Sequence, residues 1–111
     1  MIRIGVIGAT GYTGLELVRL LHKHPKVQIT ALTSEQRAGE KFSNIFPTYQ
    51  GEVDLDLEPL NPTSIAPRAD LVFLCLPHQK AMETAKAFLD QGLPVIDLSA
   101  DFRLSAAEVY E

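Results

Sequence analysis

The sequence predicts an α/β fold in three layers, a parallel sheet with helices packed on both faces. Two observations carry that prediction. Short, nearly unbroken apolar runs at residues 2–7 and 70–76 read as strands buried on both faces. Between and after them, apolar residues recur at helical spacing, with glycine and proline at the junctions. At 111 residues, 46% hydrophobic and 22% charged, the chain has the size and balance of one globular domain over residues 1–111.

The elements follow in order. Residues 2–7 (Ile-Arg-Ile-Gly-Val-Ile) form the first strand, which Gly8–Gly14 interrupts. A helix runs from Tyr12 to about Lys23, with Leu17, Val18 and Leu21 on one side and Glu16, Arg19 and Lys23 on the other. Pro25 stops it, and Val27–Thr33 is the second strand. Residues 34–51, with Gly39, Pro47 and Gly51, read as a long loop of the kind that usually has a function. Val53–Leu57 alternates with period two and predicts a strand with one wet face. Pro59, Pro62 and Pro67 leave room for one helical turn near Thr63–Ala66. After the strand at Asp70–Leu76, a helix presents the stripe Ala81, Met82, Ala85, Phe88 and Leu89, and Gly92 caps it ahead of Pro94. Val95–Leu98 is a last parallel-type strand, leading into Ser99–Arg103. Strand–helix–strand alternation of this kind is a Rossmann-type layout, whose ligands bind at the carboxyl ends of the strands.

Charge and composition exclude several functions. A net charge of −4 with no basic stripe argues against a nucleic-acid partner. No apolar run approaches the ~20 residues that cross a bilayer, so no membrane partner is expected. The start, Met1-Ile2-Arg3-Ile4-Gly5, lacks the layout of a signal peptide, and the single cysteine fits a cytoplasmic location. No His, Cys and carboxylate cluster has metal-ligand spacing.

The segment Gly8-Ala9-Thr10-Gly11-Tyr12-Thr13-Gly14 spaces its glycines as GxxGxxG. A glycine turns the chain sharply as it leaves the strand, another admits a pyrophosphate to the backbone, and a third lets the helix pack close. The helix that follows aims its amides and positive dipole end at the phosphates. Thr10 and Thr13 add hydroxyl donors, and the strand–loop–helix setting makes this a dinucleotide site.

The rim of the second strand leaves the choice of dinucleotide open. Ser34, Glu35 and Arg37 stand where such folds read the adenosine ribose. Glu35 suits the 2′-hydroxyl of NAD, whereas Ser34 with Arg37 suits the 2′-phosphate of NADP.

In the segments Gly8–Arg19, Leu32–Gly39 with Pro47, Leu74–His78 and Val95–Arg103, the chain resembles the amino-terminal part of N-acetyl-γ-glutamyl-phosphate reductases. The likeness extends over essentially all 111 residues, and its glycine loop is shared with aspartate-semialdehyde dehydrogenases. The resemblance implies a Rossmann domain joined to an α+β dimerisation and catalytic domain, in a homo-oligomeric enzyme of arginine biosynthesis. It implies NADP(H) and so favours Ser34 and Arg37 as 2′-phosphate ligands; where many relatives place arginine directly after the serine, this chain has Glu35. Leu76 and Pro77 are expected to wall the nucleotide, by position and by resemblance. The implied reaction is attack of a cysteine thiolate on a small-molecule acyl phosphate, then hydride reduction of the thioester to a semialdehyde. In that family the thiol lies in a Gly-Cys-Tyr-Pro type segment, and this chain has none.

Cys75 sits within an apolar strand and reads as core. The chain is therefore expected to be the nucleotide-binding part of a larger enzyme, with no catalytic residue of its own and no reductase activity alone. The acyl phosphate would be bound mainly by the other domain. His78, after Leu76-Pro77, either contacts the nicotinamide side of the cofactor or caps the next helix. His22 and His24 read as structural or solvated. Asp97, Ser99, Asp101 and Arg103 are either a capped turn or the lining of a cleft. The competing functions are an aminoadipyl-phosphate reductase of lysine biosynthesis, a relative of aspartate-semialdehyde dehydrogenase, and a non-catalytic NADP(H) sensor.

Overall fold

The first apolar run becomes β1 (Ile2–Ile7), the middle of a five-stranded sheet. The computed structural model describes residues 1–98. Around β1 stand β2 (Val27–Thr33), β3 (Leu57–Glu58), β4 (Leu71–Leu74) and β5 (Val95–Asp97), in the order β3-β2-β1-β4-β5. Every pairing is parallel. The chain winds outward from β1 to β3, then returns to lay β4 on the opposite side of β1. The strand order thus reverses at the β1–β4 seam, where sheets of this kind open a crevice for ligands.

Alternation along the strands sends side chains into two separate cores. Ile4, Val6 and Leu32 face one way and pack with Val18 of α1 (Tyr12–Leu21) and Phe42 of α2 (Phe42–Ile45). Ile7, Ala31, Val72 and Leu74 face the other way. They meet Ile65 of α3 (Pro62–Ile65) and Ala81 and Phe88 of α4 (His78–Asp90). Phe42 and Phe88 are wholly buried, each contributing roughly 1.5–3 kcal/mol relative to an exposed side chain. This is the predicted three-layer arrangement.

The structure amends several elements. The alternation at Val53–Leu57 is real in burial, with Val53 and Leu57 inside and Asp54 and Asp56 outside, yet only Leu57 belongs to a strand. Residues 53–56 lie along the chain near Lys41 instead. Phe42 N–H donates to the Leu55 carbonyl at 2.9 Å, and Lys41 makes one isolated antiparallel bridge with Asp56. The expected loop at 34–51 contains α2 and a 3-10 turn at Pro47–Tyr49, anchored by the Phe42 ring packing at a tilt against Phe46 and Tyr49.

The stripe on α4 is narrower than predicted. Ala81 and Phe88 are buried and Ala85 is half-buried, but Met82 is 61% and Leu89 58% exposed. At 3.6 residues per turn those two sit about 90° round from the buried face, and Thr84 occupies the inside instead. The first helix ends at Leu21 rather than near Lys23, with His22 N–H closing on the Val18 carbonyl. Cys75, Leu76 and Leu98 lie just past their strands, although Cys75 N–H still donates to Ile7 and Leu98 N–H to Leu74. Gly92 caps α4 in the left-handed region as expected, at φ +80°, and lets Leu93 N–H reach the Phe88 carbonyl.

Candidate functional site

Gly8 leaves β1 at φ +89°, a conformation that side chains rarely adopt. A Cβ there would lie 2.6 Å from the Cys75 carbonyl oxygen and 3.1 Å from Leu76 Cδ2. The loops after β1 and β4 therefore touch only because position 8 is glycine. Gly14 has the complementary role: its Cβ would fall 2.2 Å from the Gly8 carbonyl oxygen and 2.8 Å from Ala9 Cα. Without a side chain, the first turn of α1 can rest directly on the loop.

Gly11 differs from both. Its φ is −77°, open to any residue, and the nearest atom to a Cβ there is the Gly8 carbonyl oxygen at an ordinary 3.7 Å. Nothing inside the protein requires glycine at this exposed position. As the N-cap of α1 it offers no capping side chain, so the amides of Tyr12, Thr13 and Gly14 have neither a side-chain cap nor an intrahelical acceptor. Bare backbone in front of an uncapped, ten-residue helix is the surface a diphosphate requires. The residues present fit the phosphates of a dinucleotide.

The loop is held in this shape from β2. Gly8 N–H donates to Thr33 Oγ1 at 2.9 Å and Ala9 N–H to the Thr33 carbonyl at 2.8 Å. These two amides are thus committed to the protein, which leaves those of the first helix turn as the loop's uncommitted donors. The buried Thr33 is a site residue that the sequence reading missed; a hydroxyl on the last residue of a strand flanking the glycine loop was the available signal.

Thr10 Oγ1 and Ser34 Oγ lie 3.0 Å apart, and Ser34 Oγ also accepts from Arg37 N–H at 3.1 Å. Either hydroxyl can donate in that pair, and when Ser34 does, the Thr10 proton is free for another acceptor. Ser34 itself is only 3% exposed, so its hydroxyl chiefly shapes the turn that presents Arg37. The Arg37 guanidinium is half-exposed and 3.5 Å from Glu40. Glu35, also half-exposed, is ion-paired with Lys80 in the first turn of α4. Beside them lies a depression of about 520 Å³, lined by Glu35, Pro59, Leu60, Pro62, Lys80 and Thr84 among others.

The remaining predicted residues are spread along the same edge. Tyr12 begins α1 with its side chain 84% exposed, leaving its backbone amide as the group aimed at the loop, and Thr13 is half-buried beside it. Leu76 packs against Gly8, Pro77 is the N-cap of α4, and His78 is the first residue of that helix. Ser99, Asp101 and Arg103 lie outside the described residues. Burial pushes the Cys75 thiol up to about 12, with a smaller contribution from the charge of Asp97. A thiol so strongly biased to its neutral form is no nucleophile near neutral pH. Among the described residues no group of His, Cys and carboxylates could hold a metal ion, and no helix is long and apolar enough to cross a membrane.

A parallel sheet whose order reverses beside a side-chain-free loop and an uncapped helix defines a dinucleotide-binding domain of the Rossmann type. Comparison with known proteins narrows this. The family model for the semialdehyde dehydrogenase, NAD binding domain, matches residues 3–110, and the chain belongs to that family. N-acetyl-gamma-glutamyl-phosphate reductase of Citrifermentans bemidjiense is 50% identical over 110 residues, 99% of this chain and 32% of the relative. The protein of the same name from Geotalea daltonii is 52% identical over the same shares. The chain thus spans about a third of the length of the curated relatives it matches. Among solved structures, aspartate semialdehyde dehydrogenase with NADP from Candida albicans superposes with a TM-score of 0.79 at 30% identity. That match covers 93% of this chain and 31% of the other. Dihydrodipicolinate reductase from Paenisporosarcina, at 17% identity, a TM-score of 0.65 and shares of 87% and 37%, has the same fold.

Proposed function

We propose that residues 1–111 are the NADP(H)-binding domain of an N-acetyl-γ-glutamyl-phosphate reductase, which reduces an acyl phosphate to a semialdehyde. The observation that carries the reading is the uncapped first turn of α1 behind Gly11, a position with no structural need for glycine. The identity of about half to reductases of that name supports the choice of reaction. The solved relative with NADP, and Arg37 presented by Ser34 just past β2, support the choice of NADP over NAD.

On this reading, Tyr12, Thr13 and Gly14 donate backbone amides to the diphosphate and Thr10 adds its hydroxyl. Ser34 positions Arg37 at the ribose, and Leu76 and Pro77 form a wall across the β1–β4 crevice. His78 stands where the chain turns from that wall into α4, toward the nicotinamide side. When bound, the nicotinamide supplies the hydride. What these residues add is position, and well-oriented intramolecular reactions gain several kcal/mol from position alone. The nucleophilic thiol comes from the part of the enzyme beyond this chain, because the only cysteine here, Cys75, is held neutral. The acyl phosphate binds mainly there too. The intact enzyme is on this reading a cytoplasmic homo-oligomer.

Calorimetric titration with NADPH and NADH, repeated on Arg37→Ala, tests the proposal. Preference for NADPH that Arg37→Ala weakens is expected; equal binding of both nucleotides would refute the 2′-phosphate assignment. In a parallel assay, turnover of acyl phosphate by this chain alone would overturn the claim that the thiol lies elsewhere.

A further inference from the structure

The β2 rim poses an electrostatic problem that Ser34 and Arg37 do not solve alone. Glu35 stands where an acidic residue reads a ribose 2′-hydroxyl, and a carboxylate there repels a 2′-phosphate. Its charge is met by Lys80, which α4 brings across from the other side of the crevice. Arg37 is itself paired with Glu40. Each cation is already paired with an acid, and Glu83 lines the same depression, so an arriving phosphate meets no excess positive charge until one cation changes partner.

Lys80 is built to make that exchange. Its side chain is 44% exposed and that of Glu35 52%, so neither is locked in place. An ammonium on a flexible stem presents three donors and re-aims by rotating its own bonds. Ser34 has no such freedom, since its hydroxyl is buried and engaged by Thr10 and the Arg37 amide.

We infer that Lys80 is a specificity-determining residue for NADP(H), exchanging the Glu35 carboxylate for the 2′-phosphate, while Glu35 competes with the phosphate for that cation. The inference rests on the NADP(H) reading above and deepens it. Dissociation constants for NADPH and NADH are to be measured on the full chain as wild type, Lys80→Gln, Lys80→Arg and Glu35→Gln, at one fixed low salt concentration. Lys80→Gln should weaken NADPH roughly tenfold, the scale of one charge-assisted hydrogen bond, and leave NADH within about twofold. Lys80→Arg should retain most of the preference, and Glu35→Gln should tighten NADPH. A Lys80→Gln variant with an unchanged NADPH-to-NADH ratio overturns the inference while leaving the cofactor site intact, as does a Glu35→Gln variant that binds NADPH more weakly. A wild-type chain that binds neither nucleotide removes the site and the inference together.

Discussion

Gly11 and Gly14 lie in one loop and look alike in the sequence, but the structure needs them for different reasons. A methyl at Gly14 would strike two backbone atoms, at 2.2 and 2.8 Å, and neither can move without displacing the loop. We therefore expect Gly14→Ala to destabilise the fold by about 1–3 kcal/mol or more, the range for overpacking, read in urea unfolding. A methyl at Gly11 meets only one atom, at 3.7 Å, and the backbone there is ordinary. Gly11→Ala should leave stability within about 0.5 kcal/mol, as for other surface changes, and weaken nucleotide binding instead. A Gly11→Ala protein that binds NADPH normally would show that the phosphates do not pass over this residue. The GxxGxxG spacing announced the loop, because turn, approach and packing each demand a missing side chain. It could not say which glycine met which demand, since that depends on what lies across the crevice at Cys75 and Leu76. Lys80 was hidden for the same reason: its partner, Glu35, is far away in sequence and adjacent only once β2 and α4 are in place.

The central strands were readable because a continuous apolar run has few other uses, and β1 and β4 fall where such runs occur. Val53–Leu57 misled for a physical reason. Period-two burial arises whenever an extended segment lies along a core, whether or not a neighbour completes a ladder, and here Lys41 supplies only an isolated bridge. The stripe on α4 misled differently, because periodicity gives the phase of a helix only to within a residue, and Met82 and Leu89 lie at its edge. The joint between β1 and β2 was also invisible, since Thr33 resembles any strand threonine until Gly8 is seen to donate to it. Thr33→Val keeps the shape and removes the acceptor, leaving the Gly8 amide unpaired in a partly buried place. Such a loss costs about 1–3 kcal/mol. The expected result is a less stable protein whose nucleotide affinity falls further than that of an exposed control substitution. Native affinity in Thr33→Val would mean that the loop keeps its shape without its tether to β2.

Stability of the molecule as a whole should depend on pH in opposite senses at its two limits. The Asp70 carboxyl is held below its ordinary value of 3.8 by the Arg3 side chain, then by the Arg3 amide, in a clamp that ties β4 to β1. The Asp54 carboxyl is lowered by the Ser43 hydroxyl and the Gly51 amide. A lowered carboxyl contributes stability that is present above its unfolded value and lost as pH falls through the folded one, so both weaken the fold in acid. Cys75 acts at the other end. Its thiol ordinarily ionises near 9.0, but burial raises it to about 12 in the fold. Its contribution is complete below the unfolded value. As pH rises from about 9 toward 12, the unfolded chain releases this proton while the folded chain keeps it, and stability falls. Melting temperature should accordingly hold a plateau at intermediate pH and decline on both sides. Cys75→Ala separates the thiol from the lysines and tyrosines that also titrate in base. The variant should be less stable than wild type by a constant amount below about pH 8, since it loses only buried sulfur there. Above about pH 9 that gap should narrow, because only the wild type has a proton to lose. A gap that stays constant up to pH 11 would mean that the thiol is far more accessible than its place behind Gly8 and Leu76 allows. It would then become a candidate nucleophile again, and the proposal that the reacting thiol lies elsewhere in the enzyme would lose its physical basis.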